Sequence, residues 1–282
     1  MTDNFAETLP FIPPKAFDEL IFIKLGGSLI TSKDEAYKAN TALLTSLLEQ
    51  IRDFLIQFPQ KRVLLGHGSG SFGHVAGKKY GTRDGVFDPA GWQGYHSVWQ
   101  KARELHNIVL ASALDLTPPL PVISFPPSAS VSATNRQVSA WNLDPIISAI
   151  ENGLVPIVYG DVVSDHQLGG TILSTEDLFL ALAESLKPAR VLIFGKTDGV
   201  YEDFPTCKKV LPHINAKSAL PGSLTGSSSI DVTGGMLEKV RLMQRLCAVS
   251  PETQVRICPA NQPDQLMNAL LGKDTGTLIT HN

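Results

Sequence analysis

Arg62 to Gly81 reads RVLLGHGSGSFGHVAGKKYG, and its first half decides the fold. A short apolar strand, Arg62 to Gly66, runs straight into the Gly/Ser/His segment that closes at His74. Glycines at the end of a strand let a ligand approach the backbone, and the exposed amides there attract anions. The same grammar occurs upstream, where LIFIKL, Leu20 to Leu25, gives a strand and Gly26, Gly27 and Ser28 follow it. In open α/β sheets ligands sit outside the carboxyl ends of the strands, so two such turns on neighbouring strands would face one cleft. Two phosphorylated ligands would fit that arrangement.

Working outward, strand-like runs alternate with helical patterns, the order of an α/β protein with a mainly parallel sheet. Leu43, Leu44, Leu47, Leu48, Ile51, Phe54, Leu55 and Phe58 recur at helical spacing and predict an amphipathic helix over Asn40 to Phe58. A long helix is expected around Gly94 to Leu116, and further strands at PVISF, VPIVYG, VLIFG, QVRIC and TLIT. Ser174 and Asp177 have N-cap and N3 spacing before LFLALAESL, which predicts a helix start. The Pro/Gly/Ser stretch from Pro221 to Ser229 reads as an active-site loop rather than a linker. The expectation is a three-layer α/β/α sandwich around one continuous, mainly parallel central sheet. Residues 1–19 would be an extension, and 20–282 a single domain with two lobes.

Composition narrows the function classes. The chain has 282 residues, 43% hydrophobic and 18% charged, with a net charge of −3, which is a globular profile without the basic excess of a nonspecific nucleic-acid binder. No apolar run approaches the roughly 18 residues of a membrane span, and the acidic, proline-containing start does not read as a signal peptide. Cys207, Cys247 and Cys258 are odd in number and widely spaced, which suggests neither a disulfide framework nor a metal site and predicts a reducing, cytoplasmic setting.

Several residues could carry chemistry. Lys24 ends an otherwise apolar strand beside the first Gly turn, Lys33 follows that turn, and Lys239 comes shortly after Gly234 and Gly235. Three lysines beside three Gly-rich turns suit a polyanion, because phosphoryl transfer is mostly positioning and charge stabilisation. His74 could donate to a phosphate oxygen, and is as readily a structural histidine; His67 reads first as structural. Ser69 and Ser71 have no Ser/His/Asp context and more simply line the loop. Asp161 is a turn residue or a ligand contact. Gly68, Gly70 and Gly73 satisfy GxGxxG, but no acidic residue ends the next strand as a dinucleotide site requires, and His74 and Val75 stand where a P-loop has Lys and Ser/Thr.

The set as a whole resembles the amino acid kinase family, and within it the isopentenyl phosphate kinases. The resemblance is carried by IKLGGSLIT, GHGSGSFGHVAGKKYG, SFPPS, VPIVYGDVV, LIFGKTDGVY, DVTGGMLEKV and GTLIT, and spans nearly all of Leu20 to Thr280. It implies ATP-dependent phosphorylation of isopentenyl phosphate to isopentenyl diphosphate in an alternative mevalonate route, with magnesium, by a cytoplasmic homodimer. By position, Lys24, Gly26, Gly27, Ser28 and Lys33 would hold the donor phosphates, with Gly234, Gly235 and Lys239 near the β and γ phosphates and Asp198 near the nucleoside. Gly68, Gly70, His74, Gly160 and Asp161 would hold the acceptor, with Ser69 between the two ligands. Trp92, Tyr95, Val98 and Trp99 could line an apolar pocket for its tail, and serve as readily as ordinary core packing. No residue is assigned to a metal. The chain departs from the family pattern at Ser174, Thr175 and Glu176, where related kinases show Ser-Gly-Asp. The lysine-organising acid is then Glu176 or Asp177, or is lost. Rival readings are a related kinase acting on fosfomycin or a different phosphorylated or carboxylated metabolite, and a nonenzymatic nucleotide or metabolite sensor, favoured if Glu176 cannot replace the missing Asp. A nicotinamide-dependent oxidoreductase would rest on GxGxxG alone.

Overall fold

The first strand, β1 (Glu19–Leu25), is buried on both faces, and the alternation of its side chains sorts the whole protein into layers. Ile21, Ile23 and Leu25 enter one apolar core, whereas Leu20 and Phe22 enter another on the opposite side. This is the period-two geometry of a strand covered by helices on both faces. The computed structural model describes residues 16–32, 35–203, 206–220 and 235–282.

The remaining strands are β2 (Lys61–His67), β3 (Val122–Ser124), β4 (Val131–Thr134), β5 (Gln137–Trp141), β6 (Val155–Tyr159), β7 (Asp161–Asp165), β8 (Gly169–Leu173), β9 (Arg190–Gly195), β10 (His213–Asn215), β11 (Gln254–Pro259) and β12 (Thr277–Thr280). Eight of them form the central sheet in the order β10-β12-β11-β9-β1-β2-β6-β3. Every pairing in it is parallel except β11 with β12. The helices are α1 (Gly27–Ile30), α2 (Thr41–Gln57), α3 (Gly70–Tyr80), α4 (Pro89–Leu114), α5 (Pro127–Ser130), α6 (Asp144–Glu151), α7 (Thr175–Leu186), α8 (Gly235–Val249) and α9 (Gln265–Leu270). Side chains of α2, α4 and α9 fill the core on the Ile21 side, and those of α6, α7 and α8 fill the core on the Phe22 side. The three-layer α/β/α expectation holds.

Local chemistry explains the helix starts. Asn40 accepts a hydrogen bond from the Leu43 amide, and Asp88 caps α4 through the Gly91 amide at 2.7 Å with Pro89 in the first turn. Ser174 and Asp177 form a reciprocal capping box at α7, as the sequence predicts.

Two expectations are corrected. The sheet is not one continuous unit: β5-β4-β7-β8 make a separate four-stranded sheet. The Asp165 carboxylate organises it by accepting from the amides of Asn135, Arg136, Gln167 and Leu168, which ties the β4–β5 turn to the β7–β8 turn. Second, the segment read as a glycine loop already contains α3, which starts at Gly70 and packs on α4. The long helix starts at Pro89, five residues before the expected Gly94. The predicted loop at Pro221 to Ser229 lies outside the described residues.

Candidate active site

Strands β9, β1, β2 and β6 end side by side, with Phe194 in register with Leu25, Leu25 with His67, and His67 with Tyr159. The turns that leave these ends therefore open on one cleft. Gly26, Gly27 and Ser28 line it after β1, Gly68, Ser69 and Gly70 after β2, and Gly160 after β6. Gly195, the N-terminal turn of α7, and Gly235 and Lys239 of α8 complete its wall.

Glycine is required where the first two turns touch. A Cβ on Gly27 would lie 2.3 Å from the Gly70 nitrogen, and one on Gly70, whose φ is +50°, would lie 2.6 Å from the Gly27 oxygen. The two turns thus pack backbone against backbone, which no side chain permits. The Ser71 amide also donates to Thr31 Oγ1 at 3.1 Å, and that hydroxyl donates to the Gly27 oxygen at 2.8 Å. The two glycine turns singled out in the sequence are therefore packed and hydrogen-bonded together.

Lys24 occupies the next position after Leu20 and Phe22 on the α7 face of β1, where alternation puts its ammonium under the start of that helix. Glu176 meets it there in an ion pair, with only 9% and 7% of the two side chains exposed. Burial raises the Glu176 carboxyl, but the charges of Lys24 and Lys239 and the Lys24 hydrogen bond outweigh it and hold the group below its usual value. The acid left open by the sequence is therefore Glu176. Asp177 is occupied by the capping box, accepting from the Ser174 amide and hydroxyl, and burial raises its carboxyl.

Other predicted residues fall differently. Asp161 is buried with 1% exposure, and its carboxylate accepts from the amides of Val162 at 2.9 Å and Ser128 at 3.3 Å, so it braces the wall behind Gly160 rather than lining the cleft. Burial pushes it up to about 6. Asp198 is exposed in the segment after β9, away from the cleft lining, and accepts from the Tyr201 hydroxyl at 3.0 Å. Lys33 and Gly234 lie outside the described residues. His74 lies on α3, and its side chain is likewise outside the description. Val98 belongs to a small apolar cluster with Ala76 and Val162, flanked by Tyr95, Trp99 and Ile172, and Ile172 also lines the cleft. Trp92 is 47% exposed and meets the Tyr95 ring at a tilt of 57°.

Sequence reasoning missed Arg83. Its residue is only 8% exposed, and one terminal nitrogen has no hydrogen-bond partner among the described residues; burial and the Arg136 charge lower its pKa, against the charges of Asp177, Glu238 and Glu176. The surrounding KKYGTRDG gives no signal, because the burial comes from the second sheet closing over the turn after α3.

Comparison with known proteins agrees with this geometry. An isopentenyl phosphate kinase of Methanothermobacter thermautotrophicus is 32% identical over 93% of this chain and 99% of its own length. One from Methanocaldococcus jannaschii is 28% identical over 92% of this chain and 98% of its own. A crystal structure of an isopentenyl phosphate kinase superposes with a TM-score of 0.78 at 28% identity, covering 93% of this chain and all of the other. The model of the amino acid kinase family matches residues 19–258. With the parallel sheet, the paired glycine turns and the buried Lys24–Glu176 pair in place, that match shows that the chain belongs to the amino acid kinase family.

Proposed function

We propose that the protein transfers the γ-phosphoryl group of ATP to isopentenyl phosphate, giving isopentenyl diphosphate and ADP. The observation that carries this reading is the contact between the two glycine turns, with Lys24 beside it. Two anionic ligands held by adjacent turns bring their phosphates together, and a buried ammonium offsets their repulsion. In this reading Gly26, Gly27, Ser28, Gly235 and Lys239 hold the donor phosphates in a C-terminal ATP lobe, with Lys33 and Gly234 joining them. Gly68, Ser69, Gly70, His74 and Gly160 hold the acceptor phosphate in the N-terminal lobe. Asp161 supports Gly160 from behind, and Asp198, outside the cleft lining, is assigned to the nucleoside by the family resemblance alone.

The chemistry needs no general base. A phosphate monoester, with its second pKa near 6, is largely a dianion at neutral pH. Its oxygen attacks the γ-phosphorus in line, the bond to the β-phosphate oxygen breaks, and the electron pair leaves with ADP. The cleft suits such an acceptor, since its one described carboxylate, Glu176, is committed to Lys24. Lys239 and the amides of the Gly26–Ser28 turn would hold ATP as its magnesium complex, in which the ion would lower the repulsion between the two anionic substrates. The fit is that of lysines and amides to a metal–nucleotide complex, as the described residues contain no cluster of three His, Cys, Asp or Glu to hold the ion alone. The apolar cluster reached through Ile172 would receive the isoprenoid tail.

The relatives named above support the substrate, and the Glu176–Lys24 pair removes the ground for a nonenzymatic sensor. We also infer a cytoplasmic homodimer, to be checked by sedimentation and fractionation. One coupled ADP-release assay across isopentenyl phosphate, dimethylallyl phosphate, geranyl phosphate and fosfomycin tests the function. Fastest turnover with isopentenyl phosphate is expected; ADP release with fosfomycin alone, or with none of the four, refutes it.

A further inference from the structure

Directly behind the acceptor turn lie two buried histidines that the proposed chemistry does not use. His67, the last residue of β2, is fully buried, and His106 of α4 is 2% exposed. His67 Nε2 is 3.0 Å from His106 Nδ1, and His106 Nε2 is 2.6 Å from the Ser124 hydroxyl at the end of β3. At the other end, His67 Nδ1 is 3.2 Å from the carbonyl oxygen of Gly68. The Tyr159 ring stacks on both imidazoles, with centroids 5.3 Å from His67 and 4.0 Å from His106.

These contacts fix the protons. A carbonyl only accepts, so His67 Nδ1 carries its hydrogen and, in a neutral ring, Nε2 is bare. His106 Nδ1 must then donate to it, which leaves His106 Nε2 to accept from the Ser124 hydroxyl. Burial holds both rings neutral, with His67 pushed down to about 4 and His106 to about 2; the Lys24 charge acts the same way on His67, as the Arg103 charge does on His106. The hydrogen bonds therefore run in one direction, from Ser124 through both rings to Gly68.

The far end of that chain is a peptide of the candidate acceptor site. The Gly68 amide donates to the Leu25 oxygen at 3.0 Å, so the turn is held from the β1 side as well. In a planar trans peptide the carbonyl and the following N–H point in opposite directions. With the Gly68 oxygen held toward His67, the Ser69 N–H faces away from the histidines. Both Gly68 and Ser69 line the cleft.

We propose that Ser124, His106 and His67 form a positioning relay that locks the Gly68–Ser69 peptide with its N–H presented to the acceptor's phosphate. None of the three touches substrate. The relay rests on the kinase reading for the identity of the anion, and its own geometry can be tested separately.

The test uses the full chain. Nitrogen-15 imidazole spectra of the wild type should show both rings as neutral Nδ1–H tautomers. His106→Leu removes the donor to His67 and frees that ring to change tautomer. The KM for isopentenyl phosphate should rise about tenfold, the scale of one hydrogen bond, with the KM for ATP nearly unchanged. His106→Asn places an amide N–H near the lost Nδ1–H and should recover much of the loss. Ser124→Ala, the milder change if the leucine variant folds poorly, should raise the acceptor KM about two- to threefold. Nε2–H tautomers in the wild type, or folded variants whose two KM values are unchanged or rise together, would overturn the relay. If the wild type binds isopentenyl phosphate or inorganic phosphate without turnover, the kinase reading fails. The relay then stands or falls on the tautomers and on weaker binding by His106→Leu, measured by calorimetry.

Discussion

Glu176→Gln tests the electrostatic centre of the site, because it removes one charge while keeping the size of the side chain. Lys24 and Glu176 are each more than nine-tenths buried, so neither can recover its hydration when the other is lost. Breaking a buried pair from one side costs about 3–5 kcal/mol, since the remaining ion is left uncompensated. Glutamine can still accept one hydrogen bond, so the lower end, about 3 kcal/mol, is expected. At about 2 °C per kcal/mol for a chain of this size, Tm should fall by about 6 °C. Glu176→Asp keeps the charge and should lose less. The pH dependence has a definite sign. The folded carboxyl lies below its ordinary value of 4.5, so the unfolded chain binds the extra proton and the pair's contribution is present above that value. It disappears as pH falls through the folded pKa, and the wild-type and glutamine stability curves should converge there. Calorimetry from pH 7 to pH 3 reads both effects, and turnover should drop with Tm because Lys24 loses its anchor. A glutamine variant that melts within about 1 °C of wild type at neutral pH, on the same scale, would refute the argument that this pair is desolvated and coupled.

Lys24→Ala and Lys239→Ala should each impair turnover with a raised KM for ATP, and arginine at either position should rescue poorly, because a planar fork does not reproduce a compact ammonium. Wild-type steady-state kinetics in both alanine variants would remove the donor site from this cleft. His74→Ala should lower turnover of isopentenyl phosphate by roughly 10²- to 10³-fold, the usual cost of losing one donor to developing charge. Its Tm and ATP affinity should be nearly unchanged, and a loss accounted for wholly by unfolding would make His74 structural. Asp161→Asn should change the pH profile of stability. The folded carboxyl is raised from 3.8 to about 6, so the folded chain binds the extra proton and the aspartate costs the wild type stability as pH climbs through that window, by up to about 3 kcal/mol. Denaturant melts at pH 4 and pH 7 should show the asparagine variant free of that slope; parallel profiles would mean Asp161 is ionised throughout.

Much of the central sheet was legible because its signals are local. The five-residue run Ile21 to Leu25 can only be a strand buried on both faces once glycines follow it, and α2 announces itself through eight apolar residues at helical spacing. The second sheet was hidden for the opposite reason. Gln137 to Trp141 alternates weakly, and much of what holds β4 near β7 is the Asp165 carboxylate reaching back about thirty residues to the Asn135–Arg136 turn. A contact of that separation leaves no periodicity in either segment. The start of α3 was hidden because glycine is a poor helix former, and what outweighs that propensity is packing, α1 on one side and α4 on the other.

The site divides along the same line. Lys24 could be picked out because a charge at the end of an apolar strand is anomalous wherever the strand goes, and its side of the sheet follows from counting alternate residues. Choosing between Glu176 and Asp177 takes the geometry of a capped helix start. At the N-terminus of α7 one of two neighbouring acids turns back to cap the amides of its own first turn, and the other is rotated by about 100° and points down the sheet face. The capping box spacing Ser174 to Asp177 names the first of these, so Glu176 was the residue left over to meet Lys24. That deduction was available from the sequence once the cap was recognised. The histidine relay was not available at all. His67, His106 and Ser124 come from β2, α4 and β3, their spacing in the chain matches no motif, and each alone is an ordinary buried or half-buried polar residue. Their meaning lies in the direction of the hydrogen bonds between them, which exists only after three elements have packed behind one glycine turn.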